Sequence, residues 1–152
     1  MSDRFEAAFK FLCDNEYGKN YPHPILLQRF KEKVKESIYN LHVEDFNSQR
    51  LAVKYVDLCY WIGQQDACAL LQNAINATIP YSVFPMLVDG IMGEVTVAMA
   101  NDQDQEVLYN SLISFARTRL NDNARHHSSV YDYDSLKQRI ERDPREDDHA
   151  TN

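Results

Sequence analysis

The sequence predicts an all-α protein with a single domain. Glycine and proline are scarce, with 4 and 5 residues among 152, and this disfavours the many turns of a β protein. Apolar residues recur at steps of three and four along most of the chain, which is the period of one helix face. With 44% hydrophobic residues, a chain of this length can form one packed core.

Two helices are predicted in the first third of the chain. The first covers residues 2–16 and ends near Gly18, a natural helix stop. The second covers residues 22–41, and its lysine-rich flank is expected to face water. Its apolar stripe has four-residue spacing and consists of Leu26, Phe30, Val34, Ile38 and Leu41.

The middle of the chain contains the most apolar predicted helix, residues 48–63. We expect it at the centre of a bundle, with Ser48 as its cap and Gly63 as its stop. Asp57 interrupts it, and a carboxylate there must be paired or must face a cleft. The other predicted helices are residues 64–76, a short one from about Glu94, and residues 104–121.

The composition changes after residue 121. Residues 121–152 contain eight acidic and five basic side chains, and their apolar residues are few. We therefore divide the chain into a helical domain, 1–121, and an acidic, partly disordered tail, 122–152. One short helix is expected over residues 134–143, and folding is expected to proceed without the tail.

Charge and cysteine content restrict the class of protein. A net charge of −7 disfavours a broad surface for nucleic acid, whereas it suits a basic partner. No apolar run has the length of a membrane span, and the charged start of the chain does not resemble a signal peptide. We expect a protein that is cytoplasmic as synthesised, with its 3 cysteines as small core residues.

Three segments carry a resemblance to a known family. The stretch FEAAFKFLCDNEYG, residues 5–18, resembles the opening of the glycoside hydrolase family 108 muramidases, which are lysozyme-like enzymes of phages and secretion-activator proteins. Residues 57–74 and 88–96 resemble two later segments of that family, including Val-Asp-Gly-x-x-Gly-x-x-Thr. The resemblance implies a lysozyme-like helical bundle with a peptidoglycan-binding-like region towards the C-terminus. It also implies Glu16 as catalytic acid. The candidate substrate-binding residues are Tyr17, His23 and Asp57; His23 is a nearby titratable side chain that could orient a water, and the other interpretation of Asp57 is a buried carboxylate paired with a tyrosine or a backbone group.

The chain also departs from the family pattern. The family's Glu-Gly-Gly-Tyr is replaced by Glu16-Tyr17-Gly18-Lys19, and Trp61 stands where an asparagine is expected. The polar stretch that follows the glutamate in the family is absent. Glycoside hydrolysis needs an acid and a second carboxylate or a positioned water across the sugar, and no aspartate follows Glu16 before Glu32. The other interpretation of Glu16 is a helix-end carboxylate that faces water.

These observations favour a shortened lysozyme-like protein of phage or prophage type, catalytically impaired, that binds, inhibits or regulates. One alternative is an active muramidase with Glu16 as general acid. A second is an acidic phage inhibitor of a host machine with a basic surface. The expected partner is peptidoglycan or a protein, with no cofactor and no metal site, and the oligomeric state is left open.

Overall fold

The computed structural model describes residues 3–38, 40–80, 83–123 and 132–145. These residues form seven α-helices joined by turns and loops. No strand occurs in these ranges, so the all-α, single-domain prediction is confirmed. A 3-10 turn, Val43–Asp45, lies between the second and third helices. The helices are α1 Asp3–Tyr17, α2 Pro24–Ser37, α3 Gln49–Ile62, α4 Gln64–Thr78, α5 Glu94–Asn101, α6 Gln105–Asn123 and α7 Tyr133–Glu141.

Helix α3 is the centre of the bundle, as its nearly apolar sequence predicts. Every residue from Leu51 to Cys59 is buried, and α1 and α4 pack directly against this helix. The predicted cap and stop are confirmed. Ser48 Oγ accepts a hydrogen bond from Leu51 N–H at 3.1 Å, and Gly63 ends the helix with φ +101°.

The core is formed mainly by α3, α4 and α6, with α1 closing one side. Cys13, Cys59 and Cys68 are buried free thiols, so their prediction as small core residues is confirmed. The wide apolar faces of α3 and α4 predict that Trp61 and Leu71 are core residues. Leu71 is fully buried, whereas Trp61 is only partly buried and packs at the edge of the core. The fully buried leucine and isoleucine side chains include Leu12, Leu51, Leu58, Leu71, Ile75, Leu108 and Leu112.

The predicted apolar stripe of α2 is only partly correct. Val34 is the one residue that α2 buries, and Leu26 is 55% exposed. Phe30 is partly buried, with its ring 5.6 Å from the ring of Phe9 on α1. The helix ends at Ser37, with Ile38 as its C-cap, and Leu41 at the end of the predicted stripe is buried within a turn.

Helix α7 lies in the segment that the sequence set apart as a tail. The short helix is confirmed. Ser135 and Gln138 have the spacing of a capping box and predict Ser135 as the cap, but Asp132 caps the helix by accepting the Ser135 N–H. Leu136 and Ile140 are buried in the main core, and α7 packs on α6. Folding without the tail is therefore no longer expected, because side chains that are scattered in sequence share one face at four-residue spacing. Most of the stretch predicted to be disordered, residues 144–152, lies outside the described residues.

Across the described ranges, no helix combines the length and the apolar character that crossing a membrane requires.

Ending the chain at Asn123 should lower the free energy of unfolding by about 3 to 6 kcal/mol, since Leu136 and Ile140 each contribute about 1.5 to 3 kcal/mol by burial. Urea unfolding followed by circular dichroism measures this. A chain ending at Arg145, which keeps α7, should stay within about 0.5 kcal/mol of the full chain. Equal stability of all three chains would contradict the packing role of α7.

Candidate functional site

Glu16 and Asp57 are brought together by an arginine from α7. Glu16 lies in the last turn of α1 and Asp57 in the middle of α3. Arg139 donates from Nη1 to Glu16 Oε1 at 2.7 Å and from Nη2 to Asp57 Oδ1 at 2.8 Å. Its Nε also lies 3.0 Å from Asp57 Oδ2. One guanidinium therefore joins two carboxylates from two other helices.

These charges are largely withdrawn from water. The exposed fraction of the side chain is 1% for Asp57, 5% for Arg139 and 14% for Glu16. Burial opposes the charged guanidinium, but Asp57 and then Glu16 outweigh it and raise the pKa of Arg139 above its ordinary value. The pairing is what makes burial of Asp57 tolerable, since an isolated buried carboxylate is strongly unfavourable.

A second buried cation completes the group. Lys54, one turn before Asp57 on α3, donates from Nζ to the carbonyl oxygens of Arg139 at 2.7 Å and Arg142 at 2.9 Å. These carbonyls lie at the C-terminal end of α7, where helical partners are missing. Burial lowers the pKa of Lys54 to about 8, against the opposing effect of Asp57. We refer to Glu16, Lys54, Asp57 and Arg139 as the buried charge cluster.

Polar side chains at the edge of α1 surround the buried charge cluster. Asn15 donates from Nδ2 to Asp57 Oδ1 at 3.1 Å and accepts from Arg142 Nη1 at 3.3 Å. Arg142 also lies 3.6 Å from the carboxylate of Asp14. The last turn of α1 and the end of α7 are thus linked by polar contacts that extend from the buried charge cluster to the surface.

The other two predicted site residues have different surroundings. The Tyr17 ring lies 5.7 Å from the ring of Phe30, between α1 and α2, and burial, then Cys13 and Glu16, raises the pKa of its hydroxyl. His23 is exposed and caps α2 by accepting the Ile25 N–H on Nδ1 at 3.2 Å. Of the four predicted residues, the buried charge cluster includes Glu16 and Asp57.

The arrangement differs from a saccharide cleft in what lies between the carboxylates. A glycosidase leaves room there for a sugar, whereas here the Arg139 guanidinium contacts both groups. Two cavities of about 410 and about 500 Å³ occur elsewhere, and neither is lined by Glu16 or Asp57. Within the described ranges, no group of three or more histidine, cysteine or carboxylate side chains is placed to hold a metal ion.

Arg139 and Lys54 are the residues that the sequence analysis missed. Both are cations at positions whose neighbours along the helix face are apolar: Leu136 and Ile140 on α7, Leu51 and Leu58 on α3. A cation on an apolar face is the available signal for a buried ion pair. The expected partner of Asp57 was a tyrosine or a backbone group, and the observed partners are Arg139 and Asn15.

A second ion pair fastens the end of α7 to α3. Arg50 donates to both carboxylate oxygens of Asp143, from Nε at 2.9 Å and from Nη2 at 2.6 Å. Its guanidinium also lies 3.6 Å from the centre of the Tyr109 ring. Burial acts to raise the pKa of Asp143, but the hydrogen bonds from Arg50 outweigh it and the net pKa is lowered. The pair is bidentate, the stronger geometry for arginine and carboxylate.

Arg139→Met should lower the free energy of unfolding by about 3 to 5 kcal/mol, because it leaves Asp57 buried without its cation. Arg142→Met is the matched control and should cost about 1 kcal/mol or less, because its side chain is 31% exposed. Adding Asp57→Leu to Arg139→Met should recover much of the loss. Urea titration of the four proteins measures this, and similar losses for Arg139→Met and Arg142→Met would contradict it.

Acid should weaken the attachment of α7. Since the folded pKa of Asp143 lies below its ordinary value of 3.8, its stabilisation is complete above that value and is lost as pH falls through the folded pKa. Asp143→Asn should therefore be less stable than the wild type at pH 7, and the two should converge below about pH 4. Urea midpoints across this range measure the gap, and a gap that stays constant down to about pH 3 would contradict the assignment.

No family model, no curated protein and no solved structure matches this chain.

Proposed function

We propose that this chain is a lysozyme-like protein of phage or prophage type that binds and regulates or inhibits, and that its muramidase chemistry is impaired. The observation that carries the proposal is the contact of Arg139 with both Glu16 and Asp57. A general acid must meet the leaving oxygen of the substrate. In this chain the carboxylate meets a guanidinium of its own protein.

The link between α1 and α2 supports the same conclusion. Only residues 18–23 connect Tyr17 at the end of α1 to Pro24 at the start of α2. The polar stretch that follows the glutamate in the family resembled by the sequence has no counterpart of comparable length here. A wall opposite Glu16, which would enclose a saccharide, would have to come from this short link.

The proposal is tested by release of soluble muropeptides from purified cell walls, with an active muramidase as positive control. We expect no release by the wild type or by Glu16→Gln. Sedimentation of the protein with the same insoluble walls shows in parallel whether peptidoglycan is the bound partner. Glu32→Gln, an exposed glutamate on α2, is the matched control for both measurements.

Robust release by the wild type that falls about 10²-fold or more in Glu16→Gln, but not in Glu32→Gln, would overturn the proposal. It would establish an active muramidase with Glu16 as general acid. Release by Arg139→Gln alone would indicate that the arginine suppresses an intact site. That result would also contradict the proposal that the muramidase chemistry is impaired, and it would mean that α7 inhibits the activity.

A further inference from the structure

The segment between α4 and α5, together with the first turn of α5, presents apolar side chains to solvent. Half of the large hydrophobic side chains that are exposed among the described residues, six of twelve, lie within residues 83–95. Phe84 is 93% exposed and Leu87 76%. Clustered exposure of this kind marks interaction sites more often than isolated exposed leucines do. We call residues 83–95 the apolar loop, whose exposed members are Val83, Phe84, Leu87, Val88, Ile91 and Val95.

Two amides of α4 hold the apolar loop in place. Asn76 donates to Met86 O at 3.0 Å and accepts the Met86 N–H at 2.8 Å. Gln72, one turn earlier, accepts the N–H groups of Asp89 at 3.1 Å and Gly90 at 2.9 Å. The loop is thus fixed to a core helix at two points, and a fixed surface loses less conformational entropy on binding.

The close packing of the turn at Gly90 against Gln65 also restricts the conformation of the apolar loop. Gly90 has φ +72°, and a Cβ atom there would lie 2.8 Å from the backbone oxygen of Gln65. Only glycine combines this backbone conformation with so close an approach. The exposed side chains on either side of the turn therefore belong to a defined surface.

The stretch of sequence that contains the apolar loop carries charge of one sign. Residues 55–116 contain seven acidic side chains and no lysine, arginine or histidine. Three of the seven are paired with arginines from outside this stretch: Asp57, Asp66 and Glu106. For the other four, the described part of the chain supplies no ion pair; they are Asp89, Glu94, Asp102 and Asp104, all exposed. Two of them, Asp89 and Glu94, lie within the apolar loop itself.

We propose, on the basis of the binding role proposed above, that the apolar loop docks a basic amphipathic segment of another protein. Apolar side chains of the partner would cover Phe84 and Leu87, and its lysines or arginines would face Asp89 and Glu94. Apolar contacts supply affinity, and complementary charge supplies orientation and selectivity. Nucleic acid and anionic lipid do not fit, because both are repelled by an acidic surface.

A second copy of this chain is a poorer occupant. Its basic helix α2 exposes Ile25 and Leu26, but it also carries Glu32 and Glu36 among its four cations. Two copies with a net charge of −7 each repel one another before any local match is made. A separate basic protein has neither disadvantage.

The probe is a fluorescein-labelled synthetic peptide of leucine and lysine at amphipathic-helix spacing, with a peptide of leucine and glutamate as charge control. Binding to the full chain is followed by fluorescence anisotropy. Phe84→Ser with Leu87→Ser should weaken the Kd by about tenfold or more. Ile25→Ser with Leu26→Ser, the same kind of change on α2, should stay within about twofold.

A second pair of variants tests the charges without touching the apolar side chains. Asp89→Asn with Glu94→Gln should weaken the Kd by about threefold and reduce its dependence on salt. Glu32→Gln with Glu36→Gln is the matched control on α2 and should have little effect. Melting curves identify any variant that is unfolded, and the charge pair keeps the test decisive if the serine pair is unstable.

Several results would overturn the docking proposal: no binding of the leucine–lysine peptide, equal binding of the leucine–glutamate peptide, or equal loss in the α2 controls. Sedimentation velocity adds another. Self-association that is abolished by both serine pairs would mean that a second copy covers the loop. Muropeptide release by the wild type would overturn the proposed function alone, whereas failure of peptide binding would overturn the docking surface alone.

Discussion

The ion pair of Arg139 with Asp57 is the interaction on which the arrangement of helices depends. A carboxylate at the centre of α3 is 1% exposed, and without a cation its burial would cost several kcal/mol. That cation comes from the last described helix, 82 residues further along the chain. Helix α7, which packs on α6, must therefore place Arg139 between α1 and α3 so that this carboxylate can be buried. The contact of the same guanidinium with Glu16 then follows from the end of α1 lying beside α3.

Two further contacts make this docking specific. Lys54 satisfies carbonyl oxygens at the end of α7, and Arg50 holds Asp143 just beyond it. Each contact has one member on α3 and the other at or after the last turn of α7. Leu136 and Ile140 add apolar burial between them. The ion pairs, the hydrogen bonds to the end of α7 and the apolar packing thus all favour the same position of α7. In that position Glu16 is paired with Arg139.

The apolar loop shows the opposite arrangement of charge. Near Arg139, buried charge is matched by the chain's own cations. Around residues 83–95, apolar and acidic side chains remain exposed while amides of α4 fix the backbone beneath them. The first region uses charge to hold the fold together, and the second leaves apolar surface and charge available. We therefore propose that a basic protein binds at the apolar loop and that Glu16 and Asp57 have a mainly structural role.

The sequence by itself determined the seven helical segments within a few residues, the Ser48 cap, the Gly63 stop and the burial of Leu71 and the three cysteines. These features depend on periodicity and capping, which act over a few neighbouring residues. The sequence also indicated that Asp57 needs a partner. Only the tertiary structure decided that the partner is Arg139, that Leu26 stays exposed and that α7 belongs to the core. Those outcomes depend on which distant segments meet, and the energy of a buried charge is set by its neighbours in space.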